Sequence, residues 1–262
     1  MIKIFRKIRQ NLLIKSKTGK YFKYAIGEII LVVIGILIAL QINNWNENRL
    51  TNKAVKTYLN NLIQDLQTDQ IKLNSMYKWH SFKHYSMQYL IDMEGTNSYD
   101  PVADDKNDIP QFQPNHIWNA EIPKIHNKEF IQLTYKCSHK DGIYPPNKYT
   151  LDELKSTGMY SNINPKLKNE IGRYGFIWEN DFNGNVEKLA LDWQASIAED
   201  GFITTDIYKL TDPISILKNN TKRIGLMKRM IRESGWVVLS TIKLKTMNKE
   251  LIQLLEKEIT SL

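Results

Sequence analysis

Four side chains of the types that bind transition metals stand in two short groups of the sequence. His80 and His84 lie four residues apart in a helical pattern, and Cys137 and His139 lie in a later segment. Two histidines at positions i and i+4 share one helix face and can form half of a zinc site. The spacing of Cys137 and His139 matches no zinc signature, and aromatic residues flank the histidines. We therefore expect packing rather than a metal site, and we expect the single cysteine to be buried.

A second group of oxygen-bearing side chains follows the count of a calcium-binding loop. Positions 1, 3, 5, 7 and 12 of such a loop would be Asp181, Asn183, Asn185, Glu187 and Asp192. A calcium loop needs glycine at its sixth position for the sharp turn, and Val186 stands there. We interpret residues 181–185 as a turn between two helices. A separate acidic run is interpreted as a solvated loop; it contains Asp104, Asp105 and Asp108.

The sequence contains none of the short motifs typical of hydrolases, zinc proteases or phosphate-binding loops. We therefore expect no enzyme activity, no catalytic residues and no cofactor, with an enzyme kept as the third alternative. Five aromatic residues are expected in the core, with a ligand pocket as the alternative: Trp118, Tyr174, Trp178, Phe182 and Trp193.

The elements that would position these side chains begin with an apolar run from Ala25 to Ile42. Eighteen helical residues extend over roughly 27 Å, which is just enough to cross the hydrocarbon core of a bilayer. The residues after the run lack the small-residue pattern of a signal-peptide cleavage site. The sequence therefore predicts an uncleaved transmembrane helix over residues 25–45, with a cleaved signal peptide as the alternative.

The charge distribution predicts how this helix is oriented. Eight basic residues and no acids precede the run: Lys3, Arg6, Lys7, Arg9, Lys15, Lys17, Lys20 and Lys23. Basic residues next to a span stay in the cytoplasm. We therefore expect residues 1–24 to be a cytoplasmic tail and residues 46–262 to lie outside the cytoplasmic membrane, in the periplasm if the cell has two membranes.

The same eight residues account for the whole net charge of +8, so the remainder of the chain is neutral. A nucleic-acid-binding domain needs a basic face, and we expect no such binding here. The tail is interpreted mainly as a topology signal. The alternative is contact with anionic lipid headgroups through Lys3, Arg6, Lys7 and Arg9.

Two features inside the run bear on function. Glu28 is an acid near the membrane boundary, where it either reaches the interface or has a functional role. Gly27, Gly35 and Ala39 share one helix face, and small residues four apart allow two helices to approach closely. A homodimer through this face is a hypothesis.

The rest of the chain predicts a mainly α fold. The transmembrane helix is expected to continue into a long outer helix at 47–94, followed by an irregular segment at 95–149 with one short helix at 127–138. Three helices are predicted between 150 and 200, the first beginning with a capping box at Thr150 and the second capped by Asn164. A last helix is predicted from Pro213 almost to Leu262, kinked or divided at Gly235. It is expected to pair antiparallel with 47–94 as a bundle or coiled-coil-like stalk.

Hydrophobic periodicity supports the two long helices. The apolar stripe of the first runs through Val55, Leu59, Leu62, Leu66, Leu73, Met76, His80, Met87 and Leu90, and Asp69 and Lys83 occupy positions that continue it. The stripe of the second runs through Ile214, Leu217, Ile224, Ile231, Val238, Ile242, Leu251, Leu255 and Ile259.

Three stretches of the chain resemble a large family of uncharacterised bacterial proteins. These stretches are residues 24–47 with the basic lead at 5–9, residues 58–69, and residues 149–174. The resemblance implies one membrane span, a bacterium with two membranes and an outer helical domain of unknown function. It brings no activity, cofactor or catalytic residue.

The function predicted from these features is that of a structural or interaction protein. It would hold a helical module outside the membrane to bind another envelope protein, which the sequence does not identify. The alternative is a ligand-binding or sensory module, which would need a membrane partner because 24 cytoplasmic residues cannot form an output domain.

Overall fold

The computed structural model describes residues 18–99, 109–207 and 209–262. The tail residues Lys3, Arg6, Lys7 and Arg9 and the acidic run Asp104, Asp105 and Asp108 lie outside this part of the chain. The described residues form helices and irregular segments, and no strand occurs among them. The mainly α fold class is confirmed.

Seven α-helices are described, together with short 3₁₀ helices at Met159–Asn162 and Pro213–Ile216. In chain order they are α1 (Thr18–Glu94), α2 (Lys128–Ser138), α3 (Tyr149–Ser156), α4 (Pro165–Asp181), α5 (Asn185–Ala198), α6 (Thr204–Ile207) and α7 (Thr221–Ser261). The chain divides into two compact units, Met1–Lys56 and Thr57–Leu262, and α1 contributes to both.

The first unit contains the apolar run. Every residue from 29 to 40 is exposed, and the most apolar window of this helix has a mean hydropathy of 2.6 with none of its residues buried. Among the described residues, one helix is long and apolar enough to cross a membrane, and it is α1.

The second unit is built around the predicted stripe of α1. All ten predicted stripe residues from Leu59 to Leu90 are buried, including the polar Asp69, His80 and Lys83, and Val55 of the first unit is also buried. Cross-contacts pair α1 with α7 in opposite directions: Gln70 Nε2 donates to Asn248 Oδ1 over 2.8 Å, and His84 Nδ1 lies 2.9 Å from the carbonyl oxygen of Ile231. The predicted antiparallel pairing is therefore confirmed within this unit.

The central helices follow the predicted boundaries with one exception. The Asn164 side chain caps α4 by accepting from the amide of Lys166, and α4 and α5 both pack against α7. The capping box at Thr150 is wrong, because α3 already begins at Tyr149 without a side-chain cap. The Thr150 amide donates instead to Asp65 Oδ2 on α1, over 3.1 Å. A carboxylate that is distant in the sequence therefore replaces the local cap.

The predicted start of the last helix is also wrong. The Asp212 side chain accepts from the amide of Ile214, but only the 3₁₀ turn Pro213–Ile216 follows. The chain then leaves helical geometry at Asn219, whose φ is 59°, and α7 begins after Asn220, whose side chain accepts from the amide of Arg223. An Asp-Pro pair caps a 3₁₀ turn as well as an α-helix, so the local signal does not distinguish them.

Two further predictions about α7 are corrected. The helix continues through Gly235 without a break. A Cβ atom at Gly235 would lie 3.1 Å from His84 Nδ1, so this glycine allows close packing between the two helices. Ile242 is exposed, because the buried face of α7 passes through Thr241.

Gly142 allows a close approach that we expect to be sensitive to substitution. Its φ is 69°, and a Cβ atom there would lie 2.2 Å from Cδ1 of Trp79. Gly158 has a similar φ of 74° but open space around it, which makes it a matched control. We expect Gly158→Ala to lower the free energy of unfolding by about 1 kcal/mol through backbone strain alone. Gly142→Ala is expected to lower it by about 2 kcal/mol more, because Trp79 must move. Urea unfolding measures both, and equal losses would contradict the packing argument.

Candidate functional site

The second unit has an open cleft of about 910 Å³. One wall is the irregular segment 141–149, and another is residues 178–187, which join α4 to α5. The lining is completed by Asp152 of α3, residues 232, 233 and 236 of α7, and Lys72 of α1. The cleft therefore lies where four separate parts of the chain meet.

Hydrogen bonds from two helices position the segment 141–149. The indole Nε1 of Trp178 donates to the carbonyl of Tyr144 over 3.1 Å, and Lys72 Nζ donates to the carbonyl of Pro145 over 2.8 Å. Asn147 then donates twice to α1, from Nδ2 to Asp65 Oδ1 and from its amide to Asp69 Oδ1, each over 2.8 Å. This wall is irregular in secondary structure but attached to the helices at several points.

Asp69 is the buried centre of this attachment, with 1% of its surface exposed. The phenol of Tyr174 donates to Asp69 Oδ2 over 3.2 Å, and Asn248 Nδ2 donates to the Tyr174 oxygen over 3.1 Å. Burial raises the pKa of Asp69 to about 6, although the Asn147 amide and Lys72 oppose this shift. The polar stripe residue Asp69 thus links α1, α4, α7 and the cleft wall.

Two acceptor oxygens at the cleft have no hydrogen-bond partner among the described residues: Asp181 Oδ2 and Asn147 Oδ1. The Asp181 side chain is only 8% exposed, and its nearest cation is Lys243 Nζ at 3.8 Å, beyond hydrogen-bonding distance. A buried acceptor without a donor costs free energy, which a ligand that donates hydrogen bonds would recover.

Aromatic faces complete the cleft. Tyr144 and Trp236 are each 44% exposed, and Tyr149 is more exposed still. Of the five aromatic residues singled out in the sequence, Trp178 and Phe182 line the cleft. Tyr174, Trp178 and Trp193 are buried as predicted, and Trp118 is half-buried against the core. The sequence prediction missed Tyr144, Tyr149 and Trp236, because nothing in the local pattern distinguishes them from other surface aromatics.

The four metal-type residues are not arranged as a metal site. Within residues 18–99, 109–207 and 209–262, no group of three or more His, Cys, Asp or Glu side chains could hold a metal ion. His80 Nδ1 lies 3.4 Å from Ser234 Oγ, and Nε2 of His84 lies 2.8 Å from Nε2 of Gln88. Cys137 is buried, as predicted. Packing explains these residues.

Lys83 lies at the centre of that region and is 1% exposed. Its Nζ donates to the carbonyl of Lys140 over 2.7 Å. Burial lowers the pKa of Lys83 to about 8, although the nearby Asp141 favours its charged form. Burial, with the nearby Lys83 charge, also lowers the pKa of His80, and burial raises the pKa of the Cys137 thiol to about 11. At neutral pH this region therefore contains a neutral imidazole, a protonated thiol and one buried ammonium group.

The calcium-type residues form a turn, as predicted. Helix α4 ends at Asp181, Gly184 has a φ of 86°, and α5 begins at Asn185. Glu187 and Asp192 are consequently fixed on α5 and cannot wrap around an ion with the residues before them.

The span residues are all on the first unit. Gly35, Ala39 and Ile42 are exposed, whereas Ala25 and Glu28 are partly covered. The positions of Gly27 and Gly35 have open space, with no atom within 4 Å of a Cβ built there. The proposed helix-helix contact through Gly27, Gly35 and Ala39 stays a prediction.

Comparison with known proteins bears on the first long helix. Residues 28–94 match a family of unknown function, DUF6090. The match begins inside the apolar run and ends with α1, so it includes both the exposed segment and the buried stripe. It agrees with the predicted resemblance to an uncharacterised family. No curated protein and no solved structure matches the chain.

Proposed function

We propose that this chain is a single-span protein of the bacterial cytoplasmic membrane, with its N-terminal tail inside and its helical unit in the periplasm. Its role is structural: the helical unit, residues 57–262, binds another protein of the cell envelope. The observation that carries the proposal is the uncovered apolar surface of residues 29–40. Contiguous apolar surface of this kind is rare on soluble monomers and is compatible with lipid.

The state of the reactive side chains supports an interaction role over catalysis. Cys137, the single cysteine, is buried and its raised pKa keeps the thiol protonated, so it is a poor nucleophile. His80 is buried in the interior. A ligand-binding module is the second candidate function, and the aromatic cleft favours it.

Charge inserted into the apolar run tests the membrane assignment. We expect Ile34→Arg with Leu37→Arg to cost about 6 kcal/mol of insertion free energy and to prevent membrane integration. Ile71→Arg is the control, because Ile71 is 71% exposed on the same helix but outside the run. Carbonate extraction of membranes measures the outcome, and stable integration of the double variant would contradict the proposal.

Orientation and partners need separate measurements. Reporter fusions at both termini are expected to place the C-terminus outside the cytoplasm, and a cytoplasmic C-terminus would overturn the orientation.

Crosslinking in native membranes, followed by mass spectrometry, is expected to recover a second envelope protein. Recovery of self-crosslinks alone would replace that partner with a homo-oligomer.

A further inference from the structure

The cleft combines negative charge, buried acceptors and aromatic faces in one place. We propose that it binds an elongated organic cation that carries primary ammonium groups, such as a polyamine or the lysine side chains of a peptide. This inference rests on the second candidate function, ligand binding, and it uses only the cleft within residues 57–262. It therefore does not depend on the membrane topology.

The charge of the lining favours a cation. Six carboxylates line the cleft against three basic side chains. Lys148 pairs with Glu179, and Lys72 lies 3.7 Å from Asp69 Oδ1. Lys243, outside the lining, lies 3.8 Å from Asp181 Oδ2, so four further carboxylates remain against one base, Arg232. The lining therefore has an excess of negative charge, which raises the local concentration of cations and repels anions.

Two buried acceptors in the cleft wall favour a ligand that donates hydrogen bonds; each oxygen is covered from solvent, so its side chain must turn toward the cleft to contact the ligand. The Asp181 side chain is 8% exposed, and its Oδ2 accepts no hydrogen bond in the described part of the chain, although Lys243 Nζ lies 3.8 Å away. The orientation of the Asn147 amide follows from its neighbour: Nδ2 donates to the Asp65 carboxylate, which leaves Oδ1 as the free acceptor. An ammonium group has three donors and no acceptor, which complements both oxygens.

The aromatic side chains provide a third recognition element. The exposed faces of Tyr144, Tyr149 and Trp236 line the same cleft. Aromatic faces attract cations by about 0.5–2 kcal/mol each, depending on how far water is excluded. Sugars also stack on aromatic rings and donate hydrogen bonds, but a neutral sugar gains nothing from the excess carboxylates. The charge of the lining therefore favours the organic cation.

Binding is tested on the full chain in nanodiscs of zwitterionic phosphatidylcholine, so that cationic probes do not bind the lipid. The probes are spermidine and trilysine, measured by isothermal titration calorimetry, with a neutral trisaccharide and Ca²⁺ as comparison ligands. We expect saturable 1:1 binding of at least one cationic probe and weaker binding of both comparison ligands. Preference for spermidine identifies a free amine, and preference for trilysine identifies a peptide. Binding of the trisaccharide or Ca²⁺ more tightly than both amines would overturn the proposal.

Two variants connect binding to the cleft. Asp181→Asn keeps the shape of the side chain and removes its charge, and we expect about tenfold weaker binding of the amine. Trp236→Ala removes an exposed aromatic face, and about fivefold weaker binding is expected. The control is Glu250→Gln, an exposed acid of α7 outside the cleft lining. Thermal unfolding by circular dichroism establishes that each variant is folded. If Asp181→Asn does not fold, the affinity of Trp236→Ala for the amine tests the site. If Asp181→Asn and Trp236→Ala bind the amine as tightly as Glu250→Gln does, the proposed site is wrong.

Discussion

Replacing Arg223 with methionine is expected to lower the free energy of unfolding by about 3 kcal/mol, because it removes donors from several buried acceptors. Arg223 is buried at the start of α7. Its Nη1 donates to the carbonyl of Ile216 over 3.0 Å, and its Nη2 donates to the carbonyl of Ser196 over 2.6 Å. Nη2 also pairs with Asp200 Oδ2 at 2.6 Å. One guanidinium thus holds the 3₁₀ turn and the end of α5 against α7.

The neighbouring residue provides a matched control. Lys222 pairs with Glu199, but both side chains are exposed. Exposed ion pairs contribute less than about 1 kcal/mol, so Lys222→Met is expected to change stability little. Arg223→Lys keeps the charge, but a lysine cannot donate to the same set of acceptors. We expect this variant to lower the free energy of unfolding by about 2 kcal/mol. Urea unfolding of the full chain in nanodiscs measures all three, and equal effects of Arg223→Met and Lys222→Met would refute the argument.

Arg223 also shows why the start of the last helix was not predictable from local sequence. The Asp212-Pro213 pair is a helix start signal, and the apolar spacing continues beyond it. The interruption depends on Asn219 in a left-handed conformation and on the contacts of Arg223 with residues distant from it in the chain. Local patterns carry no information about such contacts, so the prediction merged a 3₁₀ turn and an α-helix.

The long helices were predictable for the opposite reason. Burial along α1 repeats every three or four residues, and this period is visible in the sequence from Val55 to Leu90. The period even included Asp69 and Lys83, which the structure buries on the same face. A polar residue at a stripe position is therefore a useful sequence signal for a buried interaction, although the sequence does not identify the partner.

The cleft was the least predictable feature. Its lining combines Lys72, an irregular segment, the turn between α4 and α5, and one face of α7. The turn at residues 181–185 was predicted, and so was the buried Trp178. Their convergence on Tyr144 and Trp236 requires the tertiary arrangement, because each residue alone fits an ordinary surface or core position.

The second prediction with a large expected effect is that Lys83 makes the free energy of unfolding depend on pH. Burial lowers its pKa to about 8 in the folded protein, against 10.5 as the ordinary value. Between these two values the unfolded chain binds more protons than the folded chain, so stability rises with pH across this window. The shift corresponds to about 3 kcal/mol. We therefore expect the wild-type protein to gain about 3 kcal/mol relative to Lys83→Met between pH 7 and pH 10.5.

At pH 7 the two effects of Lys83→Met oppose each other. The substitution removes the cost of burying an ammonium group, but it leaves the carbonyl of Lys140 without its donor. The variant is therefore expected to lie within about 1 kcal/mol of the wild type at pH 7 and to become the less stable of the two as the pH rises. Urea unfolding at pH 7, 8, 9 and 10 measures the difference, in which the titration of groups distant from Lys83 cancels. Lys188→Met is the control, since Lys188 is an exposed lysine on α5. A constant difference between the wild type and Lys83→Met across this range would show that folding does not lower the pKa of Lys83.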